Sequence, residues 1–148
     1  MSHLARMHTA VKDSEALIRA LKRVGIPEQR IEYHEKAILA RGYHQEETFN
    51  ANVIVRKDGF GSDIGWERNP KTGEFTAHLD EFHYRNQHYS QEWQRNLYTF
   101  YNVEKCKMEL DNKGMEYEEG TDNQNRPYIR ARVVLEDNSR SRTVGARR

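Results

Sequence analysis

The residues with the clearest chemical potential lie between positions 41 and 80. The run Arg41-Gly42-Tyr43 places a guanidinium and a phenol on either side of a glycine, whose backbone a ligand or partner can approach closely. Asp63 and Asp80 could share a site and shift each other's pKa, as an acid–base pair does. We take one set as candidate ligand-binding or partner-binding residues: Arg41, Gly42, Tyr43, Asp63, Trp66 and Asp80.

The same residues also have structural explanations. Gly42 could be a loop or bulge glycine, with Arg41 pairing to a nearby acid such as Asp63 or Asp80. The two aspartates could be solvated charges at strand ends, because carboxylate pairs are common in any sequence. No specific catalytic motif accompanies them, so the sequence favours a protein that is not an enzyme.

Histidine and cysteine residues could bind a metal or act as a nucleophile, but their spacing supports neither. The candidate metal ligands are His78, His83 and His88, with either His3 or His8. Intervals of five residues fit neither a helical i, i+4 pair nor the alternation of a strand, so we interpret them as exposed histidines near strand ends. We predict no metal and no cofactor. Cys106 lies in phase with an apolar stripe, which predicts a buried, inert thiol.

Two further surfaces could contact a macromolecule. A helix predicted after residue 90 has more aromatic rings than one stripe can bury, so Tyr98 and Tyr101 could be exposed to a partner. An ordinary core with an amphipathic rim is the favoured explanation of these rings. The C-terminal segment is basic, which suits phosphate binding, although a solvated face with a solubilising tail is the favoured explanation. The candidate phosphate-binding residues are Arg130, Arg132, Arg140 and Arg142.

The elements that must position these residues are predicted by periodicity and by turn and cap signals. Alternation predicts strands, and the three central runs predict an antiparallel meander. Helical spacing predicts one helix from Asp13 or Ser14 to Gly25 and a longer one from Ser90 to Gly114. The predicted fold class is α+β, a mostly antiparallel sheet with two helices packed on one face. The predicted strands cover residues 4–11, 30–40, 51–56, 62–68 and 74–80, then one from 115 and one from 127.

Length and composition restrict the class of protein. The 148 residues suit one domain, which we place at residues 1–135, followed by a basic disordered tail at 136–148. The net charge of +1 gives no overall attraction to nucleic acid or membrane, and no apolar run reaches the ~20 residues of a membrane span. A single cysteine suits a reducing compartment, so we expect a cytoplasmic protein.

The central block also carries a family resemblance. The runs Arg41-Gly42-Tyr43, Val53-Ile54-Val55-Arg56 and Asp63-Ile64-Gly65-Trp66 match the pattern of one family, and the likeness extends over residues 1–135. The chain resembles the chloroplast hypothetical-reading-frame-thirty-five family, also known as DUF1257, which is uncharacterised. The resemblance supplies no established active-site residues for this chain. It implies an accessory role beside an AAA-type ATPase.

Three functions follow from these observations. The leading hypothesis is a small, non-catalytic binding or adaptor domain with a protein partner, in the class of an AAA-type ATPase if the resemblance extends to function. The second is nucleic-acid binding through Arg130, Arg132 and the arginine-rich tail. The third is a small enzyme that uses Arg41, Asp63 and Asp80 in a cleft.

Overall fold

The computed structural model describes residues 4–44, 46–58, 61–81 and 89–132. Contacts divide the chain into two compact units, residues 1–105 and 106–148. The prediction of one domain over residues 1–135 stays a prediction, and the tail at 136–148 lies outside the described residues.

A five-stranded antiparallel sheet forms the first unit. Its strands lie in the order β1-β5-β4-β3-β2, so β2 to β5 form a meander and β1 pairs with β5 at the far edge. The predicted α+β class and the central meander are therefore confirmed. The strands are β1 Leu4–His8, β2 Ile31–Arg41, β3 Thr48–Val55, β4 Ile64–Arg68 and β5 Phe75–Asp80.

Helix α1 (Ser14–Arg23) begins and ends where local signals place it. The Asp13 carboxylate accepts a hydrogen bond from the backbone N–H of Ala16 at 3.0 Å, which settles the N-cap in favour of Asp13. Gly25 adopts the left-handed conformation, with φ of 101°, and ends the helix. One side of the helix is buried, formed by Ala16, Leu17, Ala20 and Leu21.

Helix α2 (Gln91–Asn112) also has its predicted limits. The Ser90 hydroxyl accepts a hydrogen bond from the Trp93 N–H at 3.2 Å, and Gly114 follows the helix with φ of 68°. The buried residues of α2 are Leu97, Tyr101, Val103 and Glu104, and Cys106 is not among them. Cys106 is accordingly half-buried rather than buried.

The two tyrosines of α2 that could have been exposed to a partner are half-buried, in the case of Tyr98, and buried, in the case of Tyr101. Tyr101 is 6% exposed, and its hydroxyl accepts hydrogen bonds from the backbone N–H groups of Lys12 and Asp13, both at 3.1 Å. The Tyr98 hydroxyl accepts a hydrogen bond from the indole of Trp66 at 3.2 Å, and burial raises the pKa of Tyr98. The exposed alternative is therefore wrong and the core-and-rim alternative holds, because each ring packs inward while its hydroxyl finds a polar partner.

The hairpin β2–β3 bends and supplies a second, smaller core. Its register shifts between Tyr33 and Ile38, which indicates a bulge, and strands bend at bulges. The outer half of the hairpin then lies on the side of the sheet opposite to Trp66. The Phe49 ring, in this outer half, stacks on the His78 ring, and the two ring centroids are 4.8 Å apart. The small core contains Ala40, Phe49, Ala51 and Ile54, with Leu4 and Ile38 packed against them.

The second unit contains a two-stranded hairpin, β6 (Glu116–Thr121) and β7 (Pro127–Arg132). The Asp122 carboxylate accepts hydrogen bonds from the backbone N–H groups of Gln124 and Arg126, both at 2.9 Å, and these bonds lower its pKa.

The described part of the chain contains no helix long and apolar enough to cross a membrane.

Candidate functional site

The buried side chain of Asp63 binds the backbone at the end of β2. Its side chain is buried, with 4% of the residue exposed. The carboxylate accepts hydrogen bonds from the backbone N–H of Arg41 at 3.0 Å and of Lys57 at 2.8 Å, and pairs with the Arg56 guanidinium at 3.0 Å. The N–H of Asp63 donates in turn to the Arg41 carbonyl at 2.8 Å. Asp63 therefore joins β2 to the start of β4 across the bent hairpin.

Arg56 extends this arrangement into a network. It binds Glu32 through two hydrogen bonds, Nε to Oε2 at 2.8 Å and Nη2 to Oε1 at 3.1 Å, and also reaches the Leu39 carbonyl at 3.5 Å. Hydrogen bonds from Arg56 lower the pKa of Glu32, and those from Glu32 raise the pKa of Arg56. His34 adds a hydrogen bond to Glu32 at 2.8 Å. The network connects both ends of β2 with the start of β4.

Asp80 binds the turn that follows β2. It is fully buried and accepts a hydrogen bond from the backbone N–H of Tyr43 at 3.2 Å. Gly42 lies between the two anchored residues, where an added Cβ would be 3.1 Å from the side chains of Leu4 and Glu47. The interpretation of the aspartates as solvated charges was wrong, since both are buried acceptors for backbone N–H groups.

The structure thus brings five of the six candidate residues together and leaves one apart. Asp63 and Asp80 hold the run Arg41-Gly42-Tyr43, whereas the Trp66 ring lies on the other face of the sheet against Tyr98. The neighbouring Gly65 is bare for a packing reason, because an added Cβ would lie 2.5 Å from the Phe49 ring. The binding role predicted for the set stays a prediction.

Side chains above this anchored backbone point outwards. Along the chain Leu39, Arg41 and Tyr43 are exposed and alternate with Ala40 and Gly42, which are buried. Leu39 is 49% exposed and Tyr43 is 43% exposed. In the described part of the chain the exposed large hydrophobic residues all belong to β2 and the turn after it: Tyr33, Leu39 and Tyr43.

A polar groove of about 610 Å³ lies on the sheet face that carries His78, formed by strands β1, β4 and β5 and the β4–β5 turn. The His78 ring is buried and donates from Nε2 to the Glu67 carboxylate at 3.0 Å, so the prediction of an exposed histidine was wrong at this position. Burial lowers the pKa of His78. The alternation of residues along β1, β4 and β5 predicts which polar side chains share this face, whereas the spacing of the histidines alone does not. The lining residues include Arg6, His8, Glu67, Lys71, Thr76 and His78.

The candidate phosphate-binding arginines are only partly described. Arg130 pairs with Glu118 at 2.9 Å and lies over the Tyr128 ring, and Arg132 pairs with Glu116 at 3.6 Å. Each therefore has an acidic partner across the hairpin. Arg140 and Arg142 lie outside the described residues, and phosphate binding stays a prediction.

The metal-site candidates divide in the same way. His78 and His8 line the groove, while His3, His83 and His88 lie outside the described residues. Within residues 4–44, 46–58, 61–81 and 89–132, no group of three or more histidine, cysteine, aspartate or glutamate side chains could hold a metal ion.

Comparison with known proteins gives one match. No solved structure and no curated protein matches the chain. Residues 20–128 match the family model of DUF1257, a protein of unknown function, and this range includes β2 to β5, both anchoring aspartates and most of the second unit's hairpin. The match concerns DUF1257 alone. The predicted resemblance to the family named after a chloroplast reading frame stays a prediction. Because the model covers more than half of the chain, the chain belongs to the DUF1257 family.

Proposed function

We propose that this protein is a non-catalytic protein-binding domain that presents Leu39, Arg41 and Tyr43 to a protein partner. The observation that carries the proposal is their exposure in alternation with buried Ala40 and Gly42. This pattern directs two large apolar side chains and a guanidinium away from the small core. Tyrosine and arginine are the residue types that most often contribute strongly to binding energy at protein interfaces.

The backbone beneath these side chains is fixed before any partner arrives. Asp63 binds the N–H of Arg41, and Asp80 binds the N–H of Tyr43. Because both carboxylates are buried, this part of the chain loses little conformational freedom on binding, and pre-organisation of that kind strengthens an interface. The same contacts occupy carboxylate oxygens that an acid–base mechanism would need, which supports binding over catalysis.

The partner that fits this surface is a protein with an apolar patch for Leu39 and Tyr43. The family resemblance adds a class to try first, an AAA-type ATPase. The experiment is purification of the tagged full chain from its source cells, identification of any stoichiometric partner, and titration of the purified partner by calorimetry.

Single substitutions locate the surface. We expect Leu39→Ser and Tyr43→Ser each to weaken the complex about tenfold or more, which is the range of interface residues that matter. Tyr33→Ser is the matched control, because Tyr33 is exposed on β2 before the bulge. It should leave the affinity within about twofold. A clean monomer with no stoichiometric partner, or equal losses for all three variants, would count against the proposal.

A further inference from the structure

The polar groove on the His78 face is a second feature that protein binding at β2 does not use. Its walls are set by strand pairing: Arg6 lies opposite His78, His8 opposite Thr76, and Glu67 opposite Thr76 on the other side. Side chains directly opposite each other in antiparallel strands share a face. Five polar residues from three strands are therefore brought to one surface by register alone, and Lys71 joins them from the β4–β5 turn.

The turn that closes one end of the groove has a defined shape. The Gly73 N–H donates to the Asn69 carbonyl at 2.7 Å, and the Lys71 N–H donates to the Asn69 side chain at 2.8 Å. Gly73 has a φ of 78°, which suits glycine at this position of a turn. The backbone that carries Lys71 is thus held next to the strands.

The charges lining the groove favour an anion. Arg6 and Lys71 supply two positive charges, and Glu67 supplies the one carboxylate among the lining residues. Arg68 also lines the groove, but its guanidinium lies over the Phe75 ring, 4.9 Å from the ring centroid. The Glu67 carboxylate already accepts a hydrogen bond from His78. Arg6 is exposed and has no ion-pair partner among the residues that the structure describes. A cation would meet two like charges here, and an apolar ligand would leave these groups unsatisfied.

The neutral form of His78 fits the same ligand. Its ring is buried against Phe49, and burial lowers its pKa, so at neutral pH it is uncharged and donates to Glu67. The groups that face it are Glu67 and Arg6, together with Phe49. Glu67 is 42% exposed at the side chain, so it can also accept a hydrogen bond from a ligand hydroxyl.

We propose that the groove binds a small phosphorylated molecule that also carries hydroxyl groups. Arg6 and Lys71 contact the phosphate oxygens, the Thr76 hydroxyl donates to one of them, and Glu67 accepts a hydrogen bond from a ligand hydroxyl. A volume of about 610 Å³ lies within the range of small-molecule pockets. Arginine and lysine are the side chains that proteins use for phosphate groups.

Three probes and amide chemical shifts of the full chain test this assignment. Ribose 5-phosphate should bind more tightly than inorganic phosphate, and ribose alone should show no binding, because the phosphate gives the attraction and the hydroxyls add to it. The shifts should centre on the amides of Lys71, Thr76 and His78. All titrations are run at about 0.15 M salt, where weak surface attraction is screened.

Substitutions separate this site from general attraction of anions. Arg6→Gln and Lys71→Gln should each weaken ribose 5-phosphate binding about tenfold, the effect of losing one charge-assisted contact. Arg95→Gln, at an exposed arginine of α2, is the control and should change nothing. No binding of ribose 5-phosphate up to about 10 mM would overturn the proposal. So would binding of inorganic phosphate as tight as that of ribose 5-phosphate, or an equal loss for Arg95→Gln.

Discussion

Two buried carboxylates matter most at the scale of single residues. Asp63 accepts a hydrogen bond from the backbone N–H of Arg41, 22 residues earlier in the chain, and Asp80 accepts one from the N–H of Tyr43, 37 residues earlier. A charged acceptor stabilises such donors more than a neutral one does, and an unsatisfied buried N–H is costly. These residues therefore act as clamps for the segment that carries Arg41 and Tyr43.

Removing the Asp63 carboxylate should destabilise the fold. Asp63→Ala leaves the N–H groups of Arg41 and Lys57 without their acceptor, so we expect a loss of about 2–4 kcal/mol in the free energy of unfolding. Urea unfolding followed by circular dichroism measures it. Asp58→Ala is the control, because Asp58 is exposed in the same loop, and it should cost less than about 0.5 kcal/mol. Equal stabilities would contradict the role of Asp63 as a clamp.

The bent hairpin β2–β3 is the decisive unit at the scale of elements. A straight hairpin would leave Phe49 and Ala51 facing solvent, whereas the bulge brings both onto the face of β4 and β5. Gly65 makes this contact possible because it has no side chain between β4 and the Phe49 ring. Glycine within a strand often marks such a close approach.

A methyl group at position 65 should disturb this packing. In Gly65→Ala the new Cβ would lie 2.5 Å from the Phe49 ring and 2.6 Å from the Ala51 Cβ, so the strands must separate. We expect a loss of about 1–3 kcal/mol, typical of overpacked cores. Gly73→Ala is the comparison, since it meets nothing within 4 Å and carries only the cost of a positive φ, about 1 kcal/mol. Thermal unfolding of both variants decides the order, and a smaller effect at Gly65 would refute the close packing.

Capping residues and strand alternation predicted the helices and strands, but they did not predict the bend of the hairpin β2–β3. Asp13, Ser90, Gly25 and Gly114 mark the helix limits because caps depend on neighbouring residues. Alternation likewise predicted the meander. The Phe49–His78 stack and the bond from Arg41 to Asp63 join positions far apart in sequence, so no local pattern contains them. Five of the six candidate residues lie together, but the burial of Asp63 and the opposite orientation of Trp66 could not be predicted from local patterns.

At the scale of the whole molecule, two groups should shape the dependence of stability on pH. Burial lowers the pKa of His78 below its usual 6.5, and hydrogen bonds from Arg56 lower that of Glu32 below its usual 4.5. In both cases the unfolded chain binds more protons than the folded chain. Each contribution is therefore complete above the usual value and is lost as the pH falls through the folded pKa.

The His78 contribution can be isolated by substitution. Stability should fall from about pH 6.5 downwards, with a slope of at most about 1.4 kcal/mol per pH unit from one proton. His78→Gln should remove this part of the curve and leave the fall below about pH 4.5, to which Glu32 and the other carboxylates with a lowered pKa, such as Asp122, contribute. His44→Gln, at an exposed histidine, is the control. Urea unfolding across this range measures each curve, and an unchanged profile in His78→Gln would show that His78 does not control it.

The contacts of Arg56 and Asp63 with β2 also affect how readily the edge of the sheet can pair with a second molecule. β2 is the last strand of its sheet, and an open strand edge invites other chains to add to it as in amyloid. Here the Leu39 carbonyl and both backbone groups of Arg41 are already bonded within the chain. Much of that stretch of backbone is already paired, which lowers the risk that a strand of another molecule adds beside the exposed Leu39 and Tyr43.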